Sequence, residues 1–234
     1  MKNITALIVN DFKNIFRDDV LKIMFVIPFF LILALHYGLP PLIEMLPVIA
    51  DYKYLIVTVM CLIIASFPAF LVAFIMLDEK DEGIFVIYKI LPVSHTQFFI
   101  YRLGFLIFFS WFFSLLVLLL SGPEGMMLWQ KFSAALLFAL LPPFITLLTV
   151  TFARNKVEGV TIMKMLNFLL FLPVAAFFVH SGWEYVFGII PMYWTYKIIE
   201  TVNDTGWFLG GLFTGIVLHL LFISFVFRVF IKRV

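Results

Sequence analysis

Charge is scarce in this chain. Asp, Glu, Lys and Arg make up 13% of its 234 residues against 64% hydrophobic, and the mean hydropathy is +1.13. That balance excludes a soluble globular domain, in which about 25% of residues are charged. A formal charge of +2 without any Lys/Arg-rich block excludes nucleic acid as a partner. The only cysteine, Cys61, lies in an apolar run, so no intrachain disulfide can form and its side chain reads as a small buried hydrophobe. No G-x-x-x-x-G-K-[ST] loop is present to cradle phosphates. H-E-x-x-H, paired-cysteine and G-x-S-x-G patterns are also missing, and the four histidines are scattered. No enzyme activity, metal site or cofactor site is therefore expected in this chain.

What the sequence does contain is apolar runs of membrane length. A hydrocarbon core about 30 Å thick takes roughly 20 residues of helix, and six runs of that order occur, at about 23–39, 55–77, 103–120, 132–152, 161–180 and 207–230. The first is preceded by Asp18, Asp19 and Lys22 and lacks a small-residue cleavage site, so it reads as an anchored span and not as a removed signal peptide. Basic residues in short loops stay on the cytoplasmic side. Thirteen fall on one side: Lys2, Lys13, Arg17, Lys22, Lys80, Lys89, Arg102, Arg154, Lys156, Lys164, Arg228, Lys232 and Arg233. Three, Lys53, Lys131 and Lys197, fall on the other. Both termini, the loop 78–102 and the loop 153–164 are accordingly expected in the cytoplasm, with the chain multi-pass in the cytoplasmic (inner) membrane. Pro28, Pro68, Pro142, Pro143 and Pro173 lie inside the runs, where their kinks either shape a path or are packing irregularities.

Three segments are not spans. In 1–19, Ile4, Leu7, Ile8, Phe12, Ile15 and Phe16 recur at helical spacing opposite Lys2, Lys13 and Arg17. This predicts an amphipathic helix lying at the inner interface or packed on another protein. Next comes the acidic run Asp78, Glu79, Lys80, Asp81, Glu82, then Gly83, then the short apolar stretch 84–91, closed by Pro92. Acidic residues suit a helix N-terminus, and 84–91 is too short to span. It predicts a cytoplasmic helix that needs a groove on a partner or lies flat on the membrane. Ser94 and Gln97 have capping-box spacing for the helix that leads into the third span. On the opposite side, 181–206 carries Trp183, Tyr185, Phe187, Tyr193, Trp194 and Tyr196 around Gly188 and Pro191. Re-entrant half-helices that gate an exit, or an ordinary aromatic belt, would each explain them. His219, near the middle of the last run, is either a neutral histidine bonded to a neighbouring helix or part of a cavity. Pro191, Trp194 and His219 are the candidate gate or cavity residues.

The order of these features resembles the ABC-2 type permease family, membrane subunits of ATP-binding cassette exporters. In that family an acidic loop after the second span runs into a glycine, a short helix and a Pro-x-Ser/Thr turn. Asp81 or Glu82, Gly83, residues 84–91 and Pro92-Val93-Ser94 correspond here. The N-terminal helix, six spans and aromatic loop before the last span extend the resemblance over essentially the whole chain. One departure is Val86, where many members carry Glu. The resemblance implies an all-α integral membrane protein whose coupling helix, 84–91, docks on a separate ABC ATPase subunit. Asp81, Glu82, Gly83, Ile84, Ile87, Tyr88, Leu91 and Pro92 would form the docking element. It further implies that ATP and Mg belong to that partner, and that a second permease subunit, by default identical, completes a pathway between the two.

The leading expectation is an exporter of an apolar or amphipathic solute such as a drug, lipid-like molecule or hydrophobic peptide. It rests on an aromatic and aliphatic composition that includes 31 Phe. A scaffold that assembles a complex without transport, and an ion-coupled carrier dependent on His219, are the alternatives. No span carries a central Asp or Glu, which counts against the last.

Overall fold

Lipid offers the backbone no hydrogen-bond partner, which leaves helix as the way to carry these runs across a bilayer. Helix is the only regular structure among the residues that the computed structural model describes, 11–84, 95–179 and 182–233. Six segments are long and apolar enough to span: Asp19–Met45, Pro47–Asp81, Phe99–Ser121, Leu128–Phe152, Lys156–Phe178 and Thr205–Arg233. The chain is an all-α, multi-pass membrane protein.

The helices are α1 (Asp19–Met45), α2 (Lys53–Asp81), α3 (His95–Ser121), α4 (Leu128–Ala139), α5 (Leu141–Phe152), α6 (Lys156–Phe171), α7 (Pro191–Glu200) and α8 (Thr205–Arg233). Asp18 caps α1, its Oδ1 accepting from the amides of Val20 (2.8 Å) and Leu21 (3.1 Å). The fourth span is broken. Pro142 and Pro143 have no amide to donate back into a preceding turn, so α4 stops at Ala139 and α5 restarts with the prolines in its first turn. Pro173 ends α6 in the same way, and the chain continues as a tighter helix, Leu172–Phe178. Pro68 is instead accommodated within α2. There the Ser110 hydroxyl of α3 donates to the Ala65 carbonyl at 2.9 Å, three residues before the proline, and Thr146 of α5 donates to Ala69 at 3.2 Å.

Burial separates a centre from a rim. In the apolar windows of α2 and of α4–α5, 67% and 78% of residues are buried, against 22%, 19% and 22% for α1, α6 with its extension, and α8. The rim turns Phe30, Phe168, Phe213 and Phe225 outward, as a lipid-facing surface requires. Helical stretch 11–17 packs onto α1 and α3. The Phe12 ring meets Phe25, Phe105 and Phe109 at 5.9–6.4 Å, Ile15 is fully buried, and Phe16 stays half exposed. The loop expected over 153–164 is only 153–155 long. The Asn155 side chain accepts from the Glu158 amide (3.0 Å) and starts α6 at Lys156, which carries Lys164 into the helix and out of the loop.

Candidate functional site

The acidic run 78–82 ends a helix and does not begin one. α2 continues through Asp81, Glu82 caps it by donating its amide to the Asp78 carbonyl (2.9 Å), and Gly83 follows with φ +70° while its amide bonds Lys80 (3.1 Å). A left-handed residue closing a helix in this way calls for glycine. Carboxylates at a helix C-terminus oppose the helix dipole, and the fold offsets this by pairing two of them, Asp78 and Glu79. Asp78 meets Lys156 of α6 at 2.8 Å. Glu79 is held by both terminal nitrogens of the Arg102 guanidinium on α3. Lys80 turns back and donates to the carbonyls of Val150 (2.9 Å) and Ala153 (2.7 Å), closing the open end of α5.

Arg102 is the hub. Its side chain is 3% exposed, and besides Glu79 it bonds Asp11 at 3.2 Å, with the two carboxylates 12% and 11% exposed. Burial raises Asp11 above the usual carboxylate range, although the Arg102 charge pulls it back. Three pieces of chain thereby meet at one buried charge: stretch 11–17, the end of α2 and the start of α3. Beside them runs an open groove of about 460 Å³, lined by Arg17, Asp18, Asp78, Glu79, Glu82 and Ile84 among others.

The end of α2 and the start of α3 are thus tied to each other by Glu79–Arg102. Asp81, Glu82 and Gly83 are exposed beside this clamp, and Ile84 is half buried. Ile87, Tyr88, Leu91, Pro92, Ser94 and the Gln97 side chain lie outside the described residues. Asp11, Glu79 and Arg102 were absent from the sequence candidates. A lone arginine in the apolar run after Phe99 was their only signal, since an arginine there needs an anion.

At the opposite end of the bundle, 182–189 is a tight helix with Trp183 and Tyr185 exposed, and α7 is packed, with Pro191, Tyr193 and Tyr196 buried. Trp194 donates to the Gly188 carbonyl at 2.9 Å and lies over the face of α8 made by Gly211 and Gly215. His219 is one turn further along that face. It is buried, and its Nδ1 is 2.7 Å from the Gly215 carbonyl of its own helix. The expected bond to a neighbouring helix is therefore replaced by one within α8, as a ring at i+4 can reach the carbonyl one turn back.

The sequence model of the family described as fluoroquinolones export permease protein Rv2686c-like matches residues 11–227. The chain belongs to the Rv2686c-like family. Two Mycobacterium tuberculosis proteins, from strains CDC 1551 / Oshkosh and ATCC 25618 / H37Rv, bear the names fluoroquinolones export permease protein MT2760 and Rv2686c. Each is 28% identical over 229 residues, covering 94% of this chain and 91% of the relative. No solved structure matches. The Rv2686c-like match opens at Asp11 itself and so takes in all three members of the buried ion cluster.

Not every ion pair of this Rv2686c-like chain carries equal weight. Lys156 and Asp78 are 38% and 43% exposed, and water screens a pair of that kind. Lys156→Ala is expected to change stability by less than about 1 kcal/mol, read as an almost unmoved thermal midpoint of the detergent-solubilised protein. A shift as large as that of an Arg102 variant would show that the pair is not a peripheral one.

Proposed function

We propose that this chain is the membrane-spanning permease subunit of an ABC-2 type, ATP-binding cassette exporter, moving an apolar or amphipathic solute outward. The relatives' names support export by a permease. The observation that carries the mechanism is the buried Glu79–Arg102 clamp across the base of the loop that holds 84–91. A push on that loop is received by α2 and α3 together, because bending one away from the other would part a buried charge from its partner. These 234 residues hold no phosphate-cradling loop, and in this reading the ATPase, with its ATP and Mg, is a separate subunit. Its docking element is Asp81, Glu82, Gly83, Ile84, Ile87, Tyr88, Leu91 and Pro92. The excess of basic residues puts this face and both termini in the cytoplasm, in the inner membrane. A second copy of the chain completes the pathway, closed two-fold pairs being the commonest assembly.

α2 makes the transmission mechanical. Glu79 and Tyr54 are 25 residues apart in one helix, about 38 Å at 1.5 Å per residue. A displacement at the clamp is delivered across the bilayer to residues lining the outer face.

The test is a pull-down from the native membrane in mild detergent, comparing wild type with the double variant Gly83→Pro, Leu91→Asp. An ATPase is expected to co-purify with wild type and to be lost from the variant, whose membrane insertion is checked in parallel. An ATPase retained equally by both would remove 84–91 as the docking element. Its failure to accompany wild type would remove the ABC assignment.

A further inference from the structure

Where α7 packs on the N-terminal turns of α2, at the end of the bundle opposite the ion cluster, a cavity of about 40 Å³ has a polar wall of Tyr54, Glu184, Tyr193, Tyr196, Lys197 and Glu200 and an apolar one that includes Leu55 and Phe177. A water needs about 10–15 Å³ by the same measure, so the space suits about three waters or one small polar group. Two of its walls are unusual. Tyr193 and Tyr196 are 2% and 8% exposed, and neither phenol oxygen has a hydrogen-bond partner among the described residues. Buried hydroxyls without partners are costly, and each calls for a physical reason. Burial pushes Tyr193 up to about 12 and raises Tyr196 too, so both are neutral phenols that can accept as well as donate.

The charge around the cavity decides what fits. Lys197 is already engaged, its ammonium 3.2 Å from Glu184, 3.1 Å from Glu200 and 5.9 Å from the centre of the Tyr185 ring. Burial draws Lys197 down, but its bonds to Glu200 and Glu184 outweigh this and hold it above the ordinary lysine range. Two carboxylates against one ammonium leave a net charge of −1 in a cavity whose walls include the two tyrosines. An anion would be repelled there. A cation would gain a net negative charge and aromatic faces, in walls that also hold the two unpartnered phenols. Thr58 donates its hydroxyl to the Tyr54 carbonyl at 2.8 Å, which orients the oxygen lone pairs as a further acceptor and not as a donor.

We propose that this cavity receives the protonated amine of an amphipathic solute at the outer face of the permease, with Tyr193, Tyr196 and Glu184 as its recognition residues. The proposal rests on the exporter reading and narrows it to amine-bearing solutes. It also gives α2 a second role, because the helix that ends in the Glu79–Arg102 clamp begins in the wall of this site.

The experiment measures binding directly, without ATP or a partner. Purified protein in lipid nanodiscs is titrated against a fluoroquinolone with a free piperazine nitrogen and against its N-acetyl derivative, whose nitrogen no longer takes a proton. Fluorescence anisotropy of the compound is the readout. Wild type is expected to favour the free amine about tenfold. Tyr193→Phe with Tyr196→Phe, and separately Glu184→Gln, are expected to abolish the preference while leaving affinity for the N-acetyl compound unchanged, which also shows that each variant is folded. Equal binding of the two compounds by wild type overturns the proposal. So does a preference that survives in both variants, and if the double Phe variant then melts higher than wild type, the cavity holds water only. ATP-dependent transport of the N-acetyl compound by the co-expressed complex tests the exporter reading separately. Transport without amine preference removes the site alone, and amine-selective binding without transport of either compound removes the exporter reading alone.

Discussion

Arg102→Met is expected to destabilise the protein by about 3–5 kcal/mol, the range for removing one partner from a buried ion pair. Methionine fills much of the arginine's volume, so the loss is electrostatic. Glu79 and Asp11 remain, nearly buried, with the charge that held them removed. The thermal midpoint in detergent should fall far more than for Lys156→Ala. Replacing all three partners with apolar residues of similar size should recover much of that stability. Coupling should not recover with it, because an apolar contact can slide where a forked arginine cannot. Partner ATPase that is stimulated by solute in wild type and not in the stable triple variant is the outcome expected of a transmission clamp. Full stimulation in the triple variant would make the cluster structural only.

The same substitution has a pH signature whose sign follows from Asp11. Burial raises its native pKa above the unfolded value of about 3.8, so between the two values the native state binds more protons than the unfolded state and stability falls as pH rises. Arg102 limits that effect in the wild type. Without it the Asp11 pKa climbs further, and the penalty deepens toward neutral pH. Arg102→Met should therefore lie closer to wild type in stability at pH 5 than at pH 8. A gap that does not change with pH would show that Arg102 does not set the proton affinity of Asp11.

The spans could be read from sequence because a bilayer imposes a length and a composition, and both are written locally in runs such as 103–120 and 207–230. The ends of the helices were harder. Asp78 to Glu82 looked like the start of a helix because carboxylates favour N-termini. The cations that permit them at the end of α2 come from positions as distant as Arg102 and Lys156, and nothing local reveals that pairing. Asp11 and Arg102 are 91 residues apart for the same reason. The phenols of Tyr193 and Tyr196 passed as members of an aromatic belt. Only the packing of α7 shows that they are buried while Trp183 and Tyr185 are exposed. Composition identifies an interfacial aromatic but not which face it turns inward.

The packing of α7 on α8 supplies the second large effect. Gly211 and Gly215 lie four residues apart on one face of α8, and small residues at that spacing let membrane helices approach closely. A Cβ added at Gly215 would sit 2.9 Å from the Trp194 Cβ and 3.0 Å from both methyl carbons of Leu137. Leu137 can rotate away, but the Trp194 Cβ moves only with the α7 backbone. Gly215→Val should therefore cost about 1–3 kcal/mol by overpacking and lift α7 off α8. Gly210→Ala is the control, since a Cβ there meets nothing within 4 Å and gains helix propensity of up to about 1 kcal/mol. Tyr193 and Tyr196 flank Trp194 on the same short helix, so its displacement must open the cavity they line. Gly215→Val should lose the amine preference proposed for this cavity along with its stability, whereas Gly210→Ala should keep both. A Gly215→Val protein that melts lower but retains the preference would show that α7 shifts as a rigid unit together with α2, and that the cavity does not depend on the Trp194 contact.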